Sequence, residues 1–489
     1  MKNKRLLRNE RNLSMLIEFY EFTMSNTFMA DNKKDTRVCF DMFFRKSPDN
    51  AEFAIAAGLE QLIDYIENLH FDDEDIEYLR SKNIFNEEFL NYLRDFKFSG
   101  NVYALPEGTV VFPGEPIVTV VAPVIEAQLL ETMVLVTINH QSLIATKTSR
   151  IVRAAKGRPV LEFGSRRAQG YDGAILGARA AYIGGATGTA CTATDVDYKV
   201  PASGTMAHSF IQLYDDEYTA FAAYAKNNSD NATLLVDTYN VLQSGIPNAI
   251  KVSKEILEPM GKRLKGIRID SGDLTYLSKK ARKMLDDAGL NDCKIVVSNS
   301  LDENIINELL AQGAQIDIFG VGERLITSKS EPVFGGVYKL AAVEEKGKFM
   351  PRIKVSENPE KITNPGYKEL WRLYDKETNK ALADVITLKG EEISTDSYEI
   401  FDPVYTWKKK EVKNIKARKL QVPVFIDGEC VYKTPELEEI KKYCLNEVNS
   451  MWEEVTRFVN PQKYYVDLSL KLWNLKNEML EKHRCQPEK

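Results

Sequence analysis

The middle of the chain repeats one short pattern, an apolar run of strand length followed by a segment of helix length. The apolar runs that begin these units are PVLEFGSRR, TLLVDTY, KGIRIDSGDL, KIVVSNS and QIDIFGVGE. Units of this size indicate parallel strands, because each helix returns the chain to the edge where the next strand begins. So many units in series favour a closed or nearly closed α/β barrel over an open sheet.

The parts on either side of this repeat follow other patterns. Residues 1–137 begin with helical periodicity and continue into Val, Ile and Thr runs between Pro and Gly, which is typical of a small α+β domain. Within them, apolar residues from Phe53 to Ile66 recur at helical spacing and predict one amphipathic helix. Strand-like runs and a long charged helix predict an α+β extension at 344–489, which leaves 138–343 for the barrel.

Charge and cysteine usage exclude several classes of function. The 489 residues carry a formal net charge of −6, whereas binding a nucleic-acid backbone requires a basic face. The six cysteines include no CxxC pair, which favours a reducing cytoplasm over a zinc or disulfide framework. The N-terminus lacks a signal-peptide pattern, and no uncharged run is long enough to cross a bilayer. We therefore expect a cytoplasmic protein that binds neither nucleic acid nor a membrane.

Polar residues and glycine follow the predicted strands at the points where the strands end. These residues are Arg166, Asp237, Asp270, Asn299 and Gly322. Because the carboxyl ends of parallel strands meet at one rim, we expect these residues to lie together where barrel enzymes place their chemistry.

Three of these strand ends have the composition of phosphate-binding turns. In RIDSGDL, Asp270 precedes a turn and a helix start, so it could hold Mg²⁺ through water or bind ribose hydroxyls, or simply form an Asx turn. VVSNSLDE offers Asn299 and Ser300, and FGVGE offers Gly320 and Gly322, where a ligand could approach the backbone. Together the three turns indicate a phosphorylated ligand.

A histidine and an arginine pair add possible chemistry. Arg166 and Arg167 follow a strand directly, and a guanidinium matches carboxylate or phosphate oxygens, although one of the two could be only a surface charge. His208, in GTMAHSF, could be a buried structural histidine or a nucleophile whose tautomer is held by one of the acids at 215–217. Zinc is disfavoured, because the other histidines fall in different predicted elements.

The chain resembles the nicotinate phosphoribosyltransferase family along nearly its whole length. The segments that carry the resemblance, in order, are EFYEFTM, FDMFFRK, LLETMVLVTINHQSLIATKTSR, FGSRRAQG, GTMAHSF, LLVDTYN, RIDSGDL, VSNSLDE and GGVYKL. The resemblance implies a type II phosphoribosyltransferase-like barrel and ATP-assisted transfer of phosphoribose from phosphoribosyl pyrophosphate to nicotinate, through a phosphohistidine. Nicotinamide or quinolinate as the acceptor, and a non-catalytic module that binds a phosphosugar or nucleotide, are the alternatives.

The resemblance also implies roles for individual residues. His208 is the residue that accepts phosphate, and Asp237 and Asp270 engage the ribose and Mg²⁺. The substrate-binding set is Tyr20, Phe163, Arg166, Thr205 and Arg268, and the phosphate-binding set is Asn299, Ser300, Gly320 and Gly322. Members of the family are typically dimers with shared active sites, so we expect a homodimer in which Tyr20 acts across the interface.

Two positions depart from the patterns of relatives. The last phosphate turn reads GVGE, with Glu323 where many relatives have threonine, so we expect backbone N–H groups and Arg324 to contact phosphate there. The segment GTACTA lacks the aspartate that the similar nicotinamide-using family places near Thr189. A missing carboxylate suits an anionic substrate, which a nearby aspartate would repel.

Overall fold

The computed structural model describes residues 12–484, which form two compact units. The first unit contains the described residues up to Leu143 together with those from Val333 onward, and the second unit contains Ile144–Pro332. The three-domain division with boundaries at 137 and 343 stays a prediction. Within 12–484, no helix combines the length and apolar character that crossing a membrane requires.

From residue 12 onward, the N-terminal part of the chain forms six α-helices and five strands. The helices are α1 (Phe19–Ala30), α2 (Leu59–Asn68), α3 (Asp73–Ser81), α4 (Glu87–Arg94), α5 (Val124–Gln128) and α6 (Glu131–Ala154). The strands are β1 (Arg37–Phe44), β2 (Ala54–Ile55), β3 (Asn101–Ala104), β4 (Val110–Val111) and β5 (Val118–Pro123).

The middle of the chain alternates strands and helices. Its strands are β6 (Val160–Glu162), β7 (Gly188–Thr189), β8 (Thr233–Leu235), β9 (Gly266–Ile269), β10 (Lys294–Val297) and β11 (Ile318–Val321). Its helices are α7 (Gly170–Ile183), α8 (Thr192–Tyr198), α9 (His208–Gln212), α10 (Glu217–Asn227), α11 (Ile246–Val252), α12 (Leu274–Asp287), α13 (Glu303–Ala311) and α14 (Glu323–Ile326).

The C-terminal part is rich in strands. They are β12 (Gly336–Glu345), β13 (Lys348–Pro351), β14 (Lys368–Asp375), β15 (Ala381–Leu388), β16 (Ser397–Phe401), β17 (Lys409–Lys413), β18 (Ile415–Lys419), β19 (Val422–Ile426), β20 (Glu429–Cys430) and β21 (Val466–Leu468). The helices are α15 (Leu437–Ser450), α16 (Glu453–Thr456) and α17 (Leu470–Arg484).

The first unit is built around a seven-stranded antiparallel sheet that draws on both ends of the chain. Its strand order is β13-β12-β1-β5-β3-β19-β20. A second sheet of four strands has the order β18-β14-β15-β21, and two-stranded pairs join β16 to β17 and β2 to β4. The segments assigned to the N-terminal domain and to the C-terminal extension therefore share one sheet.

Helix α2 shows where the sequence pattern and the structure differ. Leu59, Leu62, Ile63 and Ile66 are buried on one stripe of this helix, as the periodicity predicts. The helix begins at Leu59 rather than near Phe53, because the preceding residues pair with β4 as strand β2. Gly58 precedes the helix with φ +104°, and a Cβ there would lie 2.4 Å from the Thr137 carbonyl oxygen, so only glycine fits this close approach.

The second unit contains a six-stranded sheet whose pairings are all parallel. Its order is β7-β6-β11-β10-β9-β8. The predicted α/β architecture is confirmed, whereas closure of this sheet into a barrel stays a prediction. Because the strands are parallel, their carboxyl ends lie at one edge, and the turns that follow them meet there.

Candidate active site at the carboxyl edge of the parallel sheet

Two aspartates are joined at adjacent strand ends. Asp237 follows β8, and its Oδ2 accepts hydrogen bonds from the Asp270 backbone N–H at 2.9 Å and from Ser271 Oγ at 2.6 Å. Asp270 follows β9, and its Oδ1 accepts a hydrogen bond of 2.5 Å from Ser298 Oγ. Asp237 is buried, and its Oδ1 accepts no hydrogen bond from any residue between 12 and 484. Each carboxylate therefore keeps one oxygen for a ligand.

The same two oxygens are candidate ligands for Mg²⁺. Over the described part of the chain, no group of three or more His, Cys, Asp or Glu side chains could hold a metal ion. Mg²⁺ commonly binds one or two carboxylates and completes its octahedron with water and substrate phosphates. An unsatisfied buried oxygen on Asp237 beside Asp270 fits that mode, and it equally fits a ribose hydroxyl.

His208 begins α9 and faces this pair of carboxylates. Its Nδ1 lies 3.0 Å from Thr238 Oγ1, and its Nε2 lies 3.9 Å from Asp270 Oδ2. The side chain is 41% exposed, so it is not the buried structural histidine of the alternative interpretation. Thr238 therefore holds one ring nitrogen, which leaves the other available beside Asp270.

Two of the acids that follow His208 have other partners. Asp216 accepts a hydrogen bond of 2.8 Å from the Thr219 N–H and caps α10. Glu217 accepts a hydrogen bond of 3.0 Å from Asn248 Nδ2. The groups that contact the imidazole are thus Thr238 and Asp270, and Thr238 was missed by the sequence reasoning although it lies within LLVDTYN.

Arg268 and Thr205 form a second contact at this edge. Arg268 is on β9, and its Nη1 donates a 2.7 Å hydrogen bond to Thr205 Oγ1. Its Nε is buried and has no acceptor among the described residues. Burial lowers the pKa of Arg268, the nearby Asp270 and Asp237 oppose this shift, and the positive charge of Arg166 adds to it. A partly desolvated guanidinium with an unused donor favours an anionic ligand.

Phe163 and Gly320 are in direct contact. The Phe163 backbone N–H donates to the Val321 carbonyl at 2.8 Å, which joins the ends of β6 and β11. A Cβ on Gly320 would lie 2.5 Å from Phe163 Cδ2, so the ring occupies the space that a side chain would need. Gly322 is also close to this segment, since its Cβ would lie 3.2 Å from the Phe163 carbonyl oxygen. The glycines of this turn allow the half-buried aromatic ring to lie against the strand end.

The other predicted site residues have fewer contacts. Asn299 and Ser300 follow β10 with φ of 91° and 49°, and Ser300 Oγ donates to Asn299 Oδ1 at 3.1 Å. Arg166 is exposed in the single 3₁₀ turn Ser165–Arg167.

Tyr20 lies on α1 of the first unit, whereas every other predicted site residue belongs to the second. Burial and the acids Glu131 and Glu21 raise the pKa of Tyr20.

The sequence matches one family over most of its length. Residues 15–139 match the nicotinate phosphoribosyltransferase (NAPRTase) N-terminal domain, residues 159–388 match the NAPRTase family, and residues 367–476 match its C-terminal domain. A protein of Bacillus subtilis (strain 168) described as nicotinate phosphoribosyltransferase is 43% identical over 479 residues, which are 97% of each chain. This chain belongs to the nicotinate phosphoribosyltransferase family.

Solved structures agree with this membership. The crystal structure of human nicotinic acid phosphoribosyltransferase superimposes with a TM-score of 0.83 at 28% identity, over 94% of this chain and 99% of that one. The crystal structure of nicotinate-nucleotide pyrophosphorylase from Pyrococcus furiosus gives a TM-score of 0.69 at 23% identity, over 92% and 99% of the two chains, and shows a shared fold.

In this member of the nicotinate phosphoribosyltransferase family, the acid of the GVGE turn is paired. Glu323 Oε1 lies 2.5 Å from Lys329 Nζ, and this hydrogen bond lowers the pKa of Glu323. Arg324 forms an ion pair with Asp302, the residue that caps α13. The charges of Glu323 and Arg324 are therefore both compensated by partners within the chain. The backbone N–H groups of the turn remain as the donors that could bind phosphate.

A buried carboxylate that the sequence reasoning missed supports the turn at Arg166. Glu162, the last residue of β6, is fully buried, and burial raises its pKa. One oxygen accepts from the Gly164 N–H and the other accepts from Thr189 Oγ1 at 2.6 Å. A glutamate inside an apolar run is a signal that could have revealed it, because glutamate is seldom buried without partners.

Proposed function

We propose that this chain transfers the 5-phosphoribosyl group from phosphoribosyl pyrophosphate to nicotinate, giving nicotinate mononucleotide and pyrophosphate. The observation that carries the proposal is the set of contacts that joins Asp237, Asp270 and His208 at one sheet edge, beside Arg268 of β9 and its partner Thr205. Family membership indicates what the substrates are. The carboxylates, the cation and the aromatic ring at this edge are the groups that would bind these substrates.

In the transfer step, the bond between ribose C1 and the pyrophosphate oxygen breaks, and its electron pair leaves with pyrophosphate. The lone pair of the pyridine nitrogen forms the new C1–N bond. Positive charge develops on the ribose between these events, and the carboxylates of Asp237 and Asp270 stabilise it electrostatically. Mg²⁺ bound through these two residues would neutralise charge on the departing pyrophosphate.

The acceptor is recognised by complementary charge and shape. Arg268 has an unused buried donor and suits the carboxylate of nicotinate, with Thr205 holding the guanidinium in place. Phe163 presents a half-buried ring on which the pyridine stacks, and Arg166 binds phosphate or carboxylate oxygens. Tyr20 joins the site from a second chain of a homodimer.

ATP takes part by phosphorylating His208. The Nε2 lone pair attacks the γ-phosphorus of ATP, an N–P bond forms, and the bond to the ADP oxygen breaks. Thr238 holds Nδ1, so that Nε2 is the nitrogen that reacts. The phosphoimidazole adds about two negative charges beside the pyrophosphate site and later passes its phosphate to water, which couples ATP to substrate affinity. The reaction takes place in the cytoplasm, as the first step of NAD salvage from nicotinate.

Comparing the three pyridines tests this proposal. The full chain with phosphoribosyl pyrophosphate and Mg²⁺ is supplied with nicotinate, nicotinamide or quinolinate, with and without ATP, and mononucleotide and pyrophosphate are measured. We expect nicotinate mononucleotide and equimolar pyrophosphate, with ATP increasing the yield. Faster turnover of nicotinamide or quinolinate would identify another acceptor, and no pyrophosphate with any pyridine would indicate the non-catalytic module.

A further inference from the structure

A cavity lies in the second unit, at the amino ends of its parallel strands. It has a volume of about 490 Å³ and is lined by segments that precede β6, β10 and β11. Asp237 and Asp270 lie at the other edge of the same sheet, the carboxyl edge. The two edges are one strand length apart, which is about 13 Å for a strand of four residues. The cavity is thus separate from the candidate active site, and its volume is in the range of small-molecule sites.

The charges around this cavity are mostly positive. Lys156, Arg158 and Arg282 line it, and Asp317 is the acid among the lining residues. Asp317 is already compensated, because its Oδ2 accepts from the Ile295 N–H at 2.9 Å and its Oδ1 lies 3.5 Å from Lys294 Nζ. The cavity therefore has an excess of positive charge, in a protein whose net charge is negative.

The cations differ in the donors that they leave free. Arg282 has neither a free charge nor a free donor, because it is paired with Asp286 and also donates to the carbonyls of Cys293 and Leu290. Arg158 is fixed by one hydrogen bond of 2.8 Å from its Nε to the Ile316 carbonyl. Neither its Nη groups nor the exposed ammonium of Lys156 donates to any residue between 12 and 484. One guanidinium edge and one ammonium therefore remain for an anion.

We propose that this cavity binds a phosphate-bearing small molecule of mononucleotide size. Arg158 and Lys156 hold the phosphate, and the exposed side-chain amides of Asn291 and Gln315 in the cavity wall bind hydroxyl or base groups. A purely apolar ligand is disfavoured, because the wall consists mainly of charged and amide side chains. The inference depends on this cavity alone and is independent of the reaction at His208.

Adenosine 5′-monophosphate is a suitable probe, and calorimetric titration of the full chain measures its binding. We expect Arg158→Gln and Lys156→Gln each to weaken binding about tenfold, since each removes a charged donor to phosphate. Arg268→Gln at the candidate active site should leave this binding unchanged. Lys283→Gln, an exposed lysine on α12 paired with Asp287, is the matched control.

Other outcomes overturn the proposal. Absence of binding, or affinity unchanged in both Arg158→Gln and Lys156→Gln, shows that the cavity is not a nucleotide site. Binding that is lost in Arg268→Gln and kept in Arg158→Gln places the nucleotide at the active site instead. If Arg158→Gln disturbs folding, Lys156→Gln still decides the question, because the Lys156 side chain is exposed and forms no hydrogen bond or ion pair with a described residue.

Discussion

At the scale of single residues, the candidate site is defined by polar groups that the protein leaves partly unsatisfied. Asp237 Oδ1 and Arg268 Nε are both buried without a partner in the described part of the chain, although such groups normally cost free energy. Their neighbours hold them in place, since Ser271 contacts Asp237 and Thr205 contacts Arg268. A negative and a positive unsatisfied group at one edge fit a ligand that carries both hydroxyls and an anionic group.

Replacement of Arg268 by Gln tests recognition of the carboxylate. We expect kcat/KM for nicotinate to fall about 100-fold, because a charge-assisted hydrogen bond is lost, while the lower kcat/KM for nicotinamide changes much less. Steady-state kinetics with both pyridines measure the difference. An equal loss for both substrates would show that Arg268 does not bind the carboxylate.

The pH dependence of stability tests the environment of Glu21. This fully buried residue has a pKa raised from 4.5 to about 7, chiefly by burial. Between those values the unfolded chain ionises first, so this residue's contribution to the free energy of unfolding falls as pH rises. Between pH 5 and pH 8 the native chain therefore loses free energy of unfolding at this residue. We expect this loss to be about 2–3 kcal/mol smaller in Glu21→Gln.

Urea unfolding at the two pH values measures that loss, and Glu18→Gln is the control because Glu18 is exposed. If Glu21→Gln and the native chain lost the same stability between these pH values, Glu21 would not hold its proton in the folded state.

At the scale of elements, close backbone contacts fix where the strand-end residues lie. A short π-helical turn, Val241–Gly245, follows β8 and returns toward the strand. Gly245 has an ordinary helical φ of −58°, yet a Cβ there would lie 1.9 Å from the Val236 carbonyl oxygen. Glycine is needed at this position for space, and Val236 immediately precedes Asp237.

Gly245→Ala should therefore destabilise the chain by about 3 kcal/mol and also lower kcat, because the clash displaces the strand end. Gly204→Ala is the matched control for stability, since a Cβ there meets nothing within 4 Å and its φ is not positive. Urea unfolding of both variants gives the comparison. Equal stability of the two variants would contradict the close contact.

The strand-then-helix elements could be predicted from the sequence because each strand, turn and helix start is encoded locally. The strand-end residues Asp237 and Asp270 were found for the same reason. Strand β1 and the late helix start at Leu59 were missed, because they depend on pairing with β5, β12 and β4, which are distant in sequence. Glu162 was missed because its partners at Gly164 and Thr189 are visible only in the folded chain.

At the scale of the whole molecule, buried charge ties the C-terminal part of the chain into the first unit. Arg372 is fully buried and contacts Asp384 through two hydrogen bonds of 2.6 and 2.8 Å. It also donates to Glu447 at 2.9 Å and to the Val110 carbonyl at 2.8 Å. These partners lie on β15, α15 and β4, so one guanidinium joins elements from both ends of the chain. A lone arginine in WRLYDK gives no sign of this role.

Arg372→Met should lower the free energy of unfolding by about 3–5 kcal/mol, because Asp384 is left buried without its cation and Glu447 keeps only its ion pair with Arg418. Lys409→Gln, which removes an exposed ion pair of 3.1 Å to Glu399, should cost less than about 1 kcal/mol. Chemical denaturation of both variants distinguishes them. A small loss for Arg372→Met would mean that the network contributes little to stability.

His208, beside Asp237 and Asp270, is the group that we propose to accept phosphate from ATP. The most direct measurement is to incubate the full chain with ATP labelled in its γ-phosphate, digest it under alkaline conditions and locate the label. We predict acid-labile phosphate on the peptide that contains His208, and loss of both the label and the ATP-dependent gain in nicotinate mononucleotide in His208→Gln. A gain from ATP that persists with no phosphate on His208 would contradict this proposal.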